Sequence, residues 1–364
     1  MKIFTSPGKY VQGPKILKTN LAMITAYGKQ AIIVTDSFVW EMIGKTFNEN
    51  LQKEAIATTI ILLDKQSPNK DENPIVCREE AIDFVIALGG GKAIDFGKAV
   101  ANKQKVPVIV VPTAASTDAP TSAISVTYDD KGFFQSYHYY DKNPDLVFVD
   151  TDVLVNAPVR MLKSGIADGL ATFIEAEAVA KSHGKTLAGG TQTIAAHALA
   201  KTCEETLFFY GKQAIAANEA QAVTPAFEAV VEATTLLSGL GFESGGLAAA
   251  HALQNSFSSI EGEIQKKTHG EKVAFSTLVQ LMLQGDSEER MERFITFYQS
   301  IGLPTTLNEL GLGLSDKELL SLCEKTVDSE DTMKQMPMKI TGNDLFWAIR
   351  ATDSYVKMKV SAHK

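Results

Sequence analysis

The chain has 364 residues, 45% hydrophobic and 21% charged, the proportions of an ordinary globular protein long enough for two cores. A formal net charge of −8 argues against a nucleic-acid partner, which needs a basic face, and no apolar run is long enough to span a membrane. The N-terminal MKIFTSPGKY does not read as a secretory signal. The three cysteines, Cys77, Cys203 and Cys323, read as reduced thiols of a cytoplasmic protein.

In chain order, the first 150 residues alternate short β-rich runs with helical stretches. Strands are predicted at Gln30–Thr35, Ala57–Leu63, Asp83–Leu88, Val106–Val111 and Leu146–Val149. Most are continuously apolar, as strands covered on both faces are. Helices are predicted at Phe38–Gln52 and Lys92–Lys103, which gives the rhythm of a Rossmann-like, mostly parallel sheet. Ile124–Tyr140 reads as a hairpin insertion around Asp129-Asp130-Lys131-Gly132. After Asp150 no strand is expected. Helical blocks follow at Gly165–Lys181, Thr191–Phe209, Gln213–Leu237 and Gly246–Phe257, punctuated at Gly189-Gly190, Gly239–Gly241 and Gly302–Pro304. The expected division is an α/β domain over 1–157 and an all-α domain over 158–364, with a ligand in the cleft between them.

Gly89-Gly90-Gly91-Lys92 lies between a buried strand and a helix. Glycines let a backbone approach a pyrophosphate, whose charge meets the helix N-terminus. This is not the G-x-G-x-x-G pattern, and a bare tight turn is the competing reading. Thr113, Ser116 and Thr117 follow the next strand at the same edge, where open α/β sheets bind ligands. Asp36 ends the first predicted strand. It can accept hydrogen bonds from an adenosine ribose and repel a 2′-phosphate, favouring NAD over NADP. An N-cap for the following helix is nearly as good a reading, and one residue can do both.

Three ligand-type residues stand far apart in sequence: Asp168, early in a predicted helix; His251, in an Ala-rich helix; and His269, in a turn before Gly270 and a new helix. Singly each reads as structural. Together, one carboxylate and two imidazoles suit a divalent metal such as Zn²⁺ or Fe²⁺, and small neighbours leave room for an ion and its substrate. His183 and His197 read as exposed or packing residues, His363 lies in the tail, and His138, on the hairpin, could reach the cleft but has no other support. A metal beside a dinucleotide suggests redox chemistry on an alcohol.

The blocks GGGKAIDFGKAVA (89–101), VPTAASTDAPTSAISVTY (111–128), KNPDLVFVDTDVLVNAPVRMLKSGIADGLAT (142–172), GFESGGLAAAHALQN (241–255) and HGEKVAF (269–275) resemble the glycerol dehydrogenases of the iron-containing alcohol dehydrogenase superfamily. The resemblance runs nearly end to end. It implies a dehydroquinate synthase-like architecture and NAD-dependent, metal-assisted hydride transfer from glycerol or another vicinal diol. It implies one divalent metal, zinc, on Asp168, His251 and His269, and a substrate contact from Asp118. Gly90, Gly91 and Lys92 would hold the cofactor phosphates, with Asp36 on the adenosine side. Thr113, Ser116, Ser122, Ile124 and Tyr128 would complete the dinucleotide site. A homo-octamer is also implied.

Iron-dependent relatives add histidines four residues after the aspartate and four after the first histidine. Here Thr172 and Asn255 stand there, which favours a three-ligand zinc site with an open position. Gln254 departs from a HAxHN run, Thr121 from a common cysteine, and Asp71–Ala81 looks shorter than the usual helix. Lyases or dehydrogenases acting on phosphorylated substrates would need a Lys/Arg cluster, whereas Lys163, Lys266, Lys267 and Lys272 are scattered. A catalytically silent NAD- or metal-binding protein is the remaining alternative.

Overall fold

The computed structural model describes residues 1–63, 81–128, 134–328 and 332–362. The expectations for Cys77, the Asp71–Ala81 helix, the turn at 129–132 and His363 concern positions wholly or almost wholly outside that set. By their contacts the described residues form two compact units. One comprises Ser6–Leu162 with Gln213–Gly239, and the other Met1–Thr5, Lys163–Lys212 and Leu240–Lys364.

The first unit is built on six parallel strands: β1 (Tyr10–Gly13), β2 (Gln30–Thr35), β3 (Ala57–Leu62), β4 (Phe84–Gly89), β5 (Val108–Pro112) and β8 (Leu146–Asp150). Their order across the sheet is β1-β8-β5-β4-β2-β3. An antiparallel hairpin, β6 (Ile124–Tyr128) with β7 (Phe134–Tyr139), completes the α/β class expected of the chain. The continuous apolar runs follow from burial on both faces. Ile33, Ile86, Ile109 and Phe148 pack with Phe47 and Leu51. In β4 the side chain between Ile86 and Leu88 points the other way, and a Cβ on Gly97 of the helix Gly91–Gln104 would lie 2.5 Å from that of Ala87. Glycine there allows the helix its close approach to the sheet.

β1 was not legible as a strand. It has four half-buried residues and pairs only with β8 at the sheet edge.

The second unit is helical, and no helix among the described residues is long and apolar enough to cross a membrane. Phe257, Phe275, Val279, Leu345 and Ile349 centre its core. Two sequence expectations for helices need correction. The block Gln213–Leu237 is not one helix: the helix Ile194–Glu219 ends before Gln221, which has φ 52°, and another begins at Pro225, capped by Thr224. Proline has no N–H to lose in a first turn and so starts that helix. Gly239 and Gly241 do not punctuate the chain but lie inside the helix Ser238–Gly245. A Cβ on Gly239 would fall 1.8 Å from Thr121 Oγ1, and one on Gly241 2.6 Å from Thr172 Cγ2. Both glycines serve close packing.

Candidate metal centre and dinucleotide turn

Three helices bring the ligand-type residues together. Asp168 lies in the middle of the helix Val159–Lys181, not early in it, because the helix begins a turn and a half before the predicted start. His251 lies in the first turn of Ala249–Ser258. His269 opens the helix His269–Gln284, whose N-cap Thr268 forms a capping box with Glu271. The third helix can approach the first because residue 270 is glycine: a Cβ there would stand 1.9 Å from the Ser164 carbonyl oxygen. Ser164 Oγ accepts the Gly270 N–H at 3.1 Å and pins the crossing.

Asp168 Oδ1 lies 3.2 Å from His251 Nε2 and 3.1 Å from His269 Nε2. One ligand atom from each residue falls within 4.8 Å of the others. A tetrahedral centre with bonds of about 2.0–2.1 Å sets its ligand atoms about 3.3 Å apart, so the two measured edges fit an ion of that size. Asp168 is 1% exposed, and its Oδ2 has no hydrogen-bond partner among the described residues. A buried carboxylate oxygen left bare is costly unless a cation completes it. These donors fit a divalent metal.

Sequence reasoning missed a fourth member, Glu175, two turns beyond Asp168 on the same helix. It is fully buried, and its Oε2 accepts from His251 Nδ1 at 2.5 Å. Its Oε1 accepts the N–H groups of Ala248 at 2.8 Å and His251 at 3.0 Å. The bond at Nδ1 aims Nε2 at the cluster, the usual task of a carboxylate behind a metal-binding histidine. The available signal was helical spacing, since positions seven apart share one face.

The charges follow this geometry. Burial alone would lower the His251 pKa, but the Glu175 charge, hydrogen bonds to Asp168 and Glu175, and the Asp168 charge raise it well above the ordinary value of 6.5. Burial likewise opposes the Asp168 carboxylate, yet the charge of His269 and hydrogen bonds from both imidazoles hold its pKa below the usual range.

Beside the cluster, Gln254 and Lys272 are both buried and meet at one hydroxyl. Gln254 Nε2 donates to Ser258 Oγ at 2.9 Å and Lys272 Nζ to the same atom at 3.3 Å. Gln254 Oε1 is buried without a hydrogen-bond partner among the described residues. Thr172 and Asn255 are buried too.

The glycine turn is built from backbone. Gly89 ends β4 in the core with φ 147°, a conformation disfavoured for side-chain-bearing residues. Gly90 caps the helix Gly91–Gln104 with no side-chain capping bond. A Cβ on Gly90 would meet nothing within 4 Å, and one on Gly91 only Thr117 Oγ1 at 3.9 Å. Open space over a helix N-terminus fits a phosphate group. Lys92 follows in the first turn and is exposed.

The remaining residues are placed as follows. Asp36 caps the helix that starts at Ser37, accepting the Val39 N–H at 2.9 Å, and its carboxylate lies beside Gly89. Thr113 follows β5 and donates its N–H to the Gly89 carbonyl at 3.1 Å, which joins the two loops. Ser116 and Asp118 are half-buried, and Asp118 Oδ2 accepts from Ser238 Oγ at 2.9 Å. Ser122 and Ile124 are buried, and Tyr128 ends β6. Ser122 Oγ is already engaged by Lys98 Nζ at 3.3 Å.

Residues 7–151 match the iron-containing alcohol dehydrogenase family. Over 355 residues the chain is 42% identical to a glycerol dehydrogenase of Thermotoga maritima, covering 97% of each. The chain belongs to the iron-containing alcohol dehydrogenase family. Over 342 residues it is also 43% identical to a glycolaldehyde reductase of Halobacterium salinarum, covering 93% of each. The crystal structure of glycerol dehydrogenase from Schizosaccharomyces pombe superposes with a TM-score of 0.94 at 38% identity, covering 98% of this chain and 92% of that one.

Proposed function

We propose that the chain oxidises glycerol or a related vicinal diol to the hydroxyketone, using NAD and one zinc ion. The observation that carries this reading is the convergence of both imidazole Nε2 atoms on Asp168 Oδ1, at 3.1–3.2 Å, while Oδ2 of the same buried carboxylate has no hydrogen-bond partner among the described residues. When bound, the cation supplies Lewis acidity that lowers the pKa of a hydroxyl, and NAD supplies the hydride acceptor.

The chain's own residues do the rest. Asp168 contributes one negative charge and the neutral histidines none, so only one of the three residues that would touch a bound dication would offset its charge. Glu175 fixes the His251 tautomer. Gly90 and Gly91 offer backbone N–H groups to the pyrophosphate, and Lys92 adds a cation at its edge. Asp36 addresses the adenosine ribose, with Thr113, Ser116, Ser122, Ile124 and Tyr128 lining the dinucleotide. Asp118, held by Ser238, orients the diol. Three protein ligands with an open position favour zinc over iron.

The relative named a glycolaldehyde reductase points to the same substrate class. Reducing glycolaldehyde yields a 1,2-diol, so either direction joins a vicinal diol to a hydroxycarbonyl. A homo-octamer in the cytoplasm belongs to this reading through resemblance, and light scattering on the purified protein checks the assembly.

The test is NADH formation from glycerol, 1,2-propanediol, ethylene glycol and ethanol, before and after chelation and zinc re-addition. The expected result is diol oxidation that chelation abolishes and zinc restores. NAD binding without diol oxidation under any metal would overturn the reading.

A further inference from the structure

Lys98 is 3% exposed, and its ammonium is spent on one loop. Nζ donates to the Ala119 carbonyl at 2.6 Å, the Ile124 carbonyl at 2.8 Å and Ser122 Oγ at 3.3 Å. A lysine ammonium has three donors, and a buried one is tolerated only when they are satisfied. Here all three reach the loop after β5 and the first residue of β6. One turn earlier on the same helix face, Asp95 Oδ2 accepts the Val126 N–H at 3.2 Å and the Asp95 carbonyl accepts from Ser125 Oγ at 3.0 Å.

Asp118 immediately precedes Ala119. It is therefore gripped from two sides, by Ser238 on its carboxylate and by Lys98 on the next carbonyl. The helix that carries Lys98 is also the one whose N-terminus is the Gly90-Gly91 turn. We propose that Lys98 is a positioning residue that sets the Asp118 loop relative to the phosphate-binding turn. This rests on the proposed role of Asp118 at the substrate.

Lys98 and Ser122 line a cavity of about 280 Å³ together with Asn102, Lys105, Tyr140 and Asn143, among others. That permits a chemical test. Lys98→Ala removes Cγ to Nζ, the atoms of n-propylammonium, whereas Lys98→Met keeps most of the bulk and loses the charge. The expected result is a fall in kcat/KM for 1,2-propanediol on the order of 100-fold in both variants, since a displaced group costs about that much. ADP-ribose should still bind, and its dissociation constant should rise by less than kcat/KM falls, since Ser122 and Ile124 of the same loop are only part of the dinucleotide site. Added n-propylammonium restores turnover saturably in Lys98→Ala but not in Lys98→Met, and propan-1-ol restores neither.

Limited proteolysis within residues 113–123 gives a readout independent of turnover. Cleavage should quicken in Lys98→Ala and slow again with n-propylammonium. Wild-type kcat/KM and unchanged cleavage in the variants would overturn the proposal. So would lost turnover that n-propylammonium leaves untouched in a folded Lys98→Ala that binds ADP-ribose. If Lys98→Ala does not fold, Lys98→Met decides alone through turnover and cleavage. A wild-type protein that oxidises no diol counts against the functional reading instead, and the proteolysis arm still judges Lys98.

Discussion

The metal cluster and the glycine turn solve opposite problems. The cluster is made of side chains in a helical core, each braced by another side chain or by a close helix crossing. The turn is made of main chain, and its working feature is the space that Gly90 and Gly91 leave open. Substitution should therefore do different things in the two places. In the cluster, changes of charge or donor matter even when shape is kept. At the turn, one added methyl matters even when no charge changes.

The largest effect is expected from the ligands themselves. Asp168→Asn keeps the outline of the side chain and removes its charge. It should lose bound metal and reduce diol oxidation by at least about 10³-fold, as loss of several kcal/mol of charge stabilisation implies. Elemental analysis beside the assay checks both. If metal is retained and turnover survives, the cluster is only a buried hydrogen-bond network. Glu175→Gln is the finer probe, because the amide can still accept one bond but no longer supplies a charge behind His251. Metal affinity should drop by about 10–100-fold, read by competition with a chelating dye.

The same charges make metal uptake depend on pH. Without metal, His251 holds its proton well above 6.5, because the Glu175 and Asp168 charges outweigh burial. The metal takes the neutral imidazole, so loading near neutrality should release about one proton. Calorimetry in buffers of different ionisation enthalpy measures that number. Affinity should climb with pH until the raised pKa is passed. The metal-free protein should show the converse linkage: the stability from charged His251 is fully present below 6.5 and is lost as pH rises through the raised value.

How much of each region was legible follows from what made it. Strand positions came from apolar runs, and four of the five predicted strands begin or end within two residues of the structure at both ends and the fifth matches it. The ligand residues were legible as residue types with small neighbours. Their support was not, because Glu175 sits in an ordinary helical acidic stretch and its partner lies in another helix. Ser122 entered only through the family resemblance, and its engagement by Lys98 requires a contact across 24 residues. Gly239 and Gly241 look like breaks in sequence, since the neighbours that demand their small size, Thr121 and Thr172, are far away in the chain.

At the glycine turn two substitutions, two residues apart, should separate. Gly89→Ala forces a side chain into φ 147° and sets its Cβ 2.9 Å from that of Ala93. It should destabilise the fold by roughly 1–3 kcal/mol in chemical denaturation, on top of any effect on binding. Gly91→Ala places alanine in a first helical turn with no contact closer than 3.9 Å. Stability should hold, while the Michaelis constant for NAD rises because the methyl group occupies the space of the phosphate. If Gly91→Ala leaves NAD kinetics untouched, the turn is only a connection.

The smallest effect is the most discriminating, because Asp36 has one role in view and another proposed. Its Oδ1 caps a helix by accepting the Val39 N–H at 2.9 Å, which accounts for an acidic residue there without any cofactor. Asparagine caps as well as aspartate, so Asp36→Asn should change stability by only a few tenths of a kcal/mol. A carboxylate that also faces the adenosine ribose does more: it accepts from the ribose hydroxyls and repels a 2′-phosphate. Removing only its charge should then narrow the preference for NAD over NADP, seen as the ratio of kcat/KM for the two cofactors. An unchanged ratio with unchanged stability would leave Asp36 as a cap alone, and the cofactor preference would have to come from the backbone of the turn.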